Sequence, residues 1–246
     1  MKYVLGIDEV GRGPIAGPIT FCAFIMPSEK TFISKKFKEI IKKENISRAN
    51  PKTKSKINSS EDSNYIASSI KDSKKLSPNQ RQKYSTFLNK QKLLGNCDFV
   101  LVSSSAEEIE KRGLAKVINS SLQKSITSII KLNYNLDKKS CSIKLDGGLK
   151  LSEEFKQKIK DKYNYELDTQ TIIKGDEKIE AISYASIKAK VTRDTYMNYL
   201  NTKLYNENGK YYAWDQNVGY GTKKHYELIN KHGLTKYHRK SWIKDK

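Results

Sequence analysis

Asp8 and Glu9 stand side by side just past the apolar run Tyr3-Val4-Leu5, and Gly11, Arg12 and Gly13 follow at once. Carboxylates bind hard divalent cations. Glycine lets a backbone approach a ligand closely, and arginine binds phosphate or sugar oxygens. Few short segments combine all three. The run Gly6–Pro14 therefore points to metal-dependent chemistry on a phosphodiester. Two further carboxylates are candidates for the same site. Asp146 ends the strand-like run 141–145 and precedes Gly147-Gly148; Asp176 lies in Lys174-Gly-Asp-Glu, just before a helix. Unpaired carboxylates brought together repel unless cations neutralise them. Magnesium held by a few carboxylates and substrate phosphates is the natural solution. Two such ions can activate an attacking water and stabilise the leaving oxygen. Each candidate has a plainer alternative: Asp176 could be a helix N-cap, and an isolated Asp is ordinary surface.

These residues need elements to bring them together. Residues 3–8 and 18–26 read as strands joined by the glycine-rich turn 11–17. Adjacent strand residues point to opposite faces, so Asp8 and Glu9 share a site only if the strand ends or bends there, which Gly11 permits. Ser77-Pro78 starts a helix over about 78–94, and residues 98–103 form a strand. Ser105-Ala-Glu-Glu108 matches a capping box. Apolar residues at 114, 117, 118, 122, 126, 129 and 130 keep helical spacing, with Gly113 dividing a short helix from a long one. A strand over 141–145, a helix over about 152–162 and a strand over about 166–173 follow. A long helix near 179–205 then turns Ile182, Ala185, Ala189, Met197 and Leu200 inward. The order predicts one α/β domain with a mixed sheet, and strand-end side chains surround the crevice where such folds bind ligands.

Composition narrows the partner. Lys and Arg number 47 against 27 Asp and Glu, a formal charge of +20, which favours a polyanion, nucleic acid above all. An AT-rich coding sequence would also enrich lysine, so charge alone does not decide. Residues 28–60 carry ten Lys/Arg against three Glu, a local +7, and read as an exposed basic excursion. No stretch of 18 apolar residues exists, so no membrane span is expected, and the N-terminus lacks the features of a signal peptide. Cys22, Cys97 and Cys141 show no Cys-x-x-Cys spacing and read as reduced core thiols of a cytoplasmic protein. His225, His232 and His238 match no zinc motif and read as surface or fold-supporting. Tyr211, Tyr212 and Trp214 could stack on sugars or bases, but core cover is the stronger expectation.

Six ordered segments carry a resemblance. Gly6-Ile-Asp-Glu-Val-Gly-Arg-Gly-Pro-Ile-Ala-Gly-Pro18, Asp72-Ser-Lys-Lys-Leu-Ser77 and Lys144-Leu-Asp-Gly147 are similar to signatures of the ribonuclease HII family. So are Lys174-Gly-Asp-Glu177 with Ala185–Asp194, then Gly219-Tyr-Gly-Thr222 and Tyr237-His-Arg-Lys-Ser-Trp242. The resemblance implies an RNase H-like α/β fold, with a central mixed five-stranded sheet flanked by helices and a small helical C-terminal region. It implies one catalytic domain over 1–246, with a basic insertion at 28–70 and a substrate-contacting region from about 206 to 246. It implies a monomeric endoribonuclease that uses Mg²⁺ or Mn²⁺, acting on RNA–DNA hybrids and ribonucleotide-containing duplex DNA. Cleavage would fall 5′ to the ribonucleotide and leave 3′-hydroxyl and 5′-phosphate ends. By position, Asp8, Glu9, Asp146 and Asp176 become the catalytic, metal-binding acids. Gly11, Arg12 and Gly13 would read the ribose 2′-hydroxyl, Tyr220 would pack on the sugar, and Lys74 and Lys75 would contact phosphate. Arg12 separates the chain from the related ribonuclease HIII, which has lysine there and an extra N-terminal domain; five residues before Gly6 leave no room for one. Two departures stand out: the length of 28–70, and Val218 where a basic residue is common.

Two rivals follow from the residues alone. A non-catalytic nucleic-acid-binding protein accounts for the charge, but not for carboxylates set among basic residues. A magnesium-dependent phosphatase of small phosphoesters accounts for the carboxylates but has no need of the charge.

Overall fold

A computed structural model describes residues 3–28, 76–132 and 141–243. The basic insertion lies almost wholly outside the described residues, as do Lys74 and Lys75. Strands β1 (Tyr3–Val10), β2 (Ile19–Pro27), β3 (Asp98–Ser104), β4 (Cys141–Asp146) and β5 (Asp168–Ile172) form one mixed sheet in the order β3-β2-β1-β4-β5. The first three strands pair antiparallel, while β4 and β5 run parallel to β1. The C-terminal ends of β1, β4 and β5 therefore open on one side of the molecule.

Two helical layers cover the sheet. Leu5, Ile7, Phe21 and Ile143 face helices α2 (Ala106–Arg112), α3 (Leu114–Lys131) and α4 (Glu153–Tyr163) through Ile109, Val117, Ile126, Phe155 and Ile159. The opposite face, with Cys22 and Phe24, packs on α1 (Pro78–Leu93) and on α6 (Glu180–Asn208) through Tyr84, Leu88, Ala181 and Ala185. A Cβ on Gly6 would lie 2.2 Å from the Ala181 carbonyl carbon, so the absence of a side chain lets α6 cross β1 at close range. The expected inward residues of α6 are all buried.

A third cluster is built from the C-terminal region. Short helix α7 (Trp214–Asn217), helix α8 (Lys223–His232) and a 3-10 turn at Lys240–Trp242 pack Tyr212, Trp214 and Ile229 on Met197, Leu200 and Leu204 of α6. Tyr212 and Trp214 are core residues with no exposed surface, as expected, and Cys22, Cys97 and Cys141 are buried free thiols. Among the described residues, no helix is long and apolar enough to cross a membrane.

The caps are written locally. Ser77 accepts the Gln80 amide while Gln80 returns a side-chain bond to the Ser77 amide, with Pro78 opening α1. Ser105 caps α2 through the Glu108 amide, and Gly113 at φ 80° divides α2 from α3.

Candidate active site

β1 continues through Val10, so Asp8 and Glu9 do point to opposite faces of an unbroken strand. A third carboxylate, Asp146, acts on both of them through its charge. Asp146 ends β4, one step past the Ile7–Leu145 pair of the parallel ladder. Burial raises the Asp8 carboxyl well above its ordinary range, and the charges of Glu9 and Asp146 raise it further. Burial likewise lifts Glu9 to about 7; the Arg12 guanidinium opposes that rise and Asp146 adds to it.

Asp176 arrives from the next strand. After β5, Lys174 takes a left-handed conformation (φ 54°), and the turn α5 (Gly175–Lys178) begins. Such a backbone costs energy for a residue with a Cβ, and it is held here beside the site. The Gly175 amide donates to Asp146 Oδ1 at 2.7 Å. Asp176 is 1% exposed and sits within the turn, where Lys174 is the cap residue. The N-cap alternative for Asp176 is thereby replaced.

Arg12 forms an ion pair with Glu9 at 2.5 Å. As the side chains stand, no three Asp, Glu, His or Cys residues among the described residues are drawn tightly enough to hold an ion. Arg12 engages Glu9, and the Gly175 amide engages one oxygen of Asp146. The donor set still fits a hard divalent cation. It consists of carboxylate oxygens, and Asp8 and Glu9 are buried where burial and like charge both disfavour their ionised forms.

The glycine loop and Tyr220 meet on the same side. A Cβ on Gly13 would find only Tyr220 Cε1 within 4 Å, at 3.8 Å. Tyr220 is exposed, and its carbonyl accepts from His225 Nδ1 at 2.8 Å. His225 Nε2 accepts the Trp214 indole at 2.9 Å and lies 3.3 Å from His238 Nε2. Burial lowers both imidazoles, His238 to about 3, so both are neutral near pH 7. His225 and His238 are thus fold-supporting, as expected, and they hold the Tyr220 turn.

Sequence reasoning missed two residues, Arg193 and Arg239. Both are fully buried, and no ion pair to either is found among the described residues. Arg193 donates to the carbonyls of Ala16, Pro18 and Val218 at 2.8–3.0 Å. Arg239 donates to those of Gly11, Arg12 and Gly17 at 2.7–3.2 Å. Gly11 sits at φ 101°, and a Cβ there would lie 2.6 Å from Arg193 Nε, so glycine is needed twice over. Val218, noted as a departure, takes φ 43° and gives its carbonyl to Arg193. The only sequence sign of these roles was that both arginines fall inside motif segments.

A five-stranded mixed sheet of this order, covered by helices on both faces and with acids at its parallel strand ends, is the ribonuclease H-like fold. Comparison with known proteins narrows the class. The ribonuclease HII family model matches residues 55–245. A ribonuclease HII of Pelagibacter ubique is 32% identical over 98% of this chain and 96% of its own length. One from Helicobacter pylori strain J99 is 35% identical over 98% of this chain and 90% of its own. The solved ribonuclease HII of Archaeoglobus fulgidus, in complex with PCNA, superposes with a TM-score of 0.62 at 21% identity, covering 100% of this chain and 97% of that one. The chain belongs to the ribonuclease HII family, the type 2 ribonucleases H, which are metal-dependent hydrolases of RNA in RNA–DNA hybrids.

Proposed function

We propose that this protein cuts the RNA strand of RNA–DNA hybrids and also cuts 5′ to ribonucleotides embedded in duplex DNA, leaving 3′-hydroxyl and 5′-phosphate ends. One observation carries the proposal. Buried Asp8 near the end of β1 and half-buried Asp146 at the end of β4 stand beside a loop whose backbone is built to approach a ligand.

In this proposal Asp8, Glu9, Asp146 and Asp176 are the catalytic acids and hold Mg²⁺ or Mn²⁺ as a pair of ions. Bound there, such ions supply an activated water and stabilise the leaving oxygen. Asp146, tethered through Oδ1 to the Gly175 amide, keeps its second oxygen for that role. Arg12 steadies the Glu9 carboxylate at the rim. Gly11, Arg12 and Gly13 face the ribose 2′-hydroxyl, the group that distinguishes RNA from DNA, and Tyr220 packs against the same sugar. Lys74 and Lys75 contact backbone phosphate; that role rests on their motif alone. The excess of positive charge holds the duplex without reading bases. The chain acts as one domain over 1–246, monomeric and cytoplasmic. The region from about 206 contacts the duplex.

The test is a duplex carrying one ribonucleotide, incubated with and without Mg²⁺. The expected result is a single cut 5′ to the ribonucleotide, only with the cation, and none in the all-DNA duplex. Cleavage independent of the cation or of the ribonucleotide would overturn the proposal.

A further inference from the structure

We propose that Arg239, buried beneath the glycine loop, is the positioning residue that aims the Arg12 and Gly13 amides at the ribose, while Arg193 anchors the far end of the loop. This rests on the ribose-reading role proposed above for Gly11–Gly13.

The argument begins with peptide geometry. No cis peptide bond occurs among the described residues. In a trans peptide the C=O and the following N–H point in opposite directions. Arg239 Nη2 holds the Gly11 carbonyl at 2.7 Å, and Nη1 holds the Arg12 carbonyl at 2.9 Å. The N–H groups of Arg12 and Gly13 must therefore point away from Arg239. Gly13 is exposed and Arg12 half-buried, so away from Arg239 means toward the outside of the molecule. Two consecutive carbonyls turned inward leave two consecutive donors turned outward, beside Tyr220.

Arg239 is itself well fixed. Its amide donates to the Ile15 carbonyl at 2.8 Å, and its guanidinium carbon lies 4.9 Å from the centre of the Trp242 ring. Nε and Nη2 share the Gly17 carbonyl. A planar fork with five donors suits three carbonyls spread along a loop; an ammonium does not. Arg193 completes the clamp by joining Ala16 and Pro18 to Val218, which lies two residues before Tyr220. The loop and the tyrosine turn are thereby held as one surface. Burying two guanidinium groups with no ion pair among the described residues is costly, and here the cost is offset by bonds to the carbonyls of this loop and of the Val218 turn.

The experiment measures duplex affinity with Ca²⁺ in place of Mg²⁺, checking by gel that the duplex stays intact. The quantity of interest is the preference for a one-ribonucleotide duplex over its all-DNA counterpart. In Arg239→Lys this preference should fall about tenfold, with all-DNA affinity within about twofold of the parent, as expected for misaiming two hydrogen bonds. A folded Arg239→Lys protein with undiminished preference would overturn the proposal. Should that variant not fold, Trp242→Leu removes the ring packed on the guanidinium and leaves its bonds in place. It should show a smaller drop, and an unchanged preference would again overturn the role. On the unmodified protein, the Arg12 and Gly13 amide resonances should shift with the ribonucleotide duplex and not with all-DNA duplex. Silent amides there would overturn the ribose-reading loop itself. Responsive amides with an unchanged preference in the variants would overturn only the role of Arg239.

Discussion

At the ends of β1 and β4, like charges are gathered in a largely buried place; beneath Gly11–Pro18, two guanidinium groups are gathered in another. Asp146 raises the proton affinity of both Asp8 and Glu9, and Glu9 Oε2 has no hydrogen-bond partner among the described residues. The guanidinium groups lie as deep, yet their donors meet the carbonyls of Gly11, Arg12, Ala16, Gly17, Pro18 and Val218. Both regions bear the same kind of desolvation cost. In one it is met within the fold, giving a rigid loop. In the other it stands, as it does at sites that wait for a ligand. Neutralising a charge should therefore disable the guanidinium region by loosening it and the carboxylate region by removing its chemistry.

The largest expected effect tests the acidic side. Asp146→Asn should lower cleavage on the order of a thousandfold or more, because its group acts together with others. Duplex affinity should persist within a few-fold, and stability should hold or rise as a repulsion is relieved. Full activity in gel assays would remove Asp146 from the site. The basic side should answer the other way. Arg239→Met strands carbonyls at about 1–3 kcal/mol each, so urea unfolding should show a loss of about 3–5 kcal/mol. A loss under about 1 kcal/mol would mean the loop is held by other contacts.

The contrast extends to pH. The folded state retains the Glu9 proton up to about 7, whereas the unfolded chain releases it near 4.5. Ionisation is thus disfavoured in the fold, and stability without a divalent cation should fall as pH rises from about 4.5 to 7. Raising a carboxyl pKa by 1 corresponds to about 1.4 kcal/mol, so the fall is at most about 3.5 kcal/mol. Mg²⁺ should raise the melting temperature more at pH 8 than at pH 5, and Glu9→Gln should flatten the profile. A profile unchanged by Glu9→Gln would refute the assignment. His238 behaves oppositely. It stays neutral in the fold down to about pH 3, while the unfolded chain takes up a proton near 6.5. Stability should therefore decline as pH falls below about 6.5, by about 1 kcal/mol at pH 5.5, and His238→Gln should remove that acid limb.

Much of this molecule is readable along the chain. Short apolar, strand-like runs mark the sheet strands, and the apolar spacing of α3 and α6 marks their buried faces, because those signals are local. The boundaries are harder to read. β1 runs two residues past Asp8 because Glu9 and Val10 pair with Phe21 and Thr20 of β2, partners that a single strand does not reveal. The acids Asp8, Glu9, Asp146 and Asp176 were legible as residue types at strand ends. Strand alternation made a shared site for Asp8 and Glu9 depend on the strand ending or bending there, yet β1 continues through Val10, and the sequence gave no sign that Asp146 would act on both.

Arg193 and Arg239 were hidden among 47 Lys and Arg. Their hydrogen bonds join residues 175 to 228 positions apart, except for the one to Val218. His225 and His238 read as isolated histidines until the C-terminal turn brought their rings together. By itself the sequence determined the elements, their buried faces and the acidic residues available for chemistry, since each depends on neighbours a few positions away. The tertiary structure alone decided which charges face one another and which carbonyls turn inward. Those outcomes depend on distances between segments far apart in the chain, and such distances are set only when the sheet, α6 and the C-terminal turn pack together.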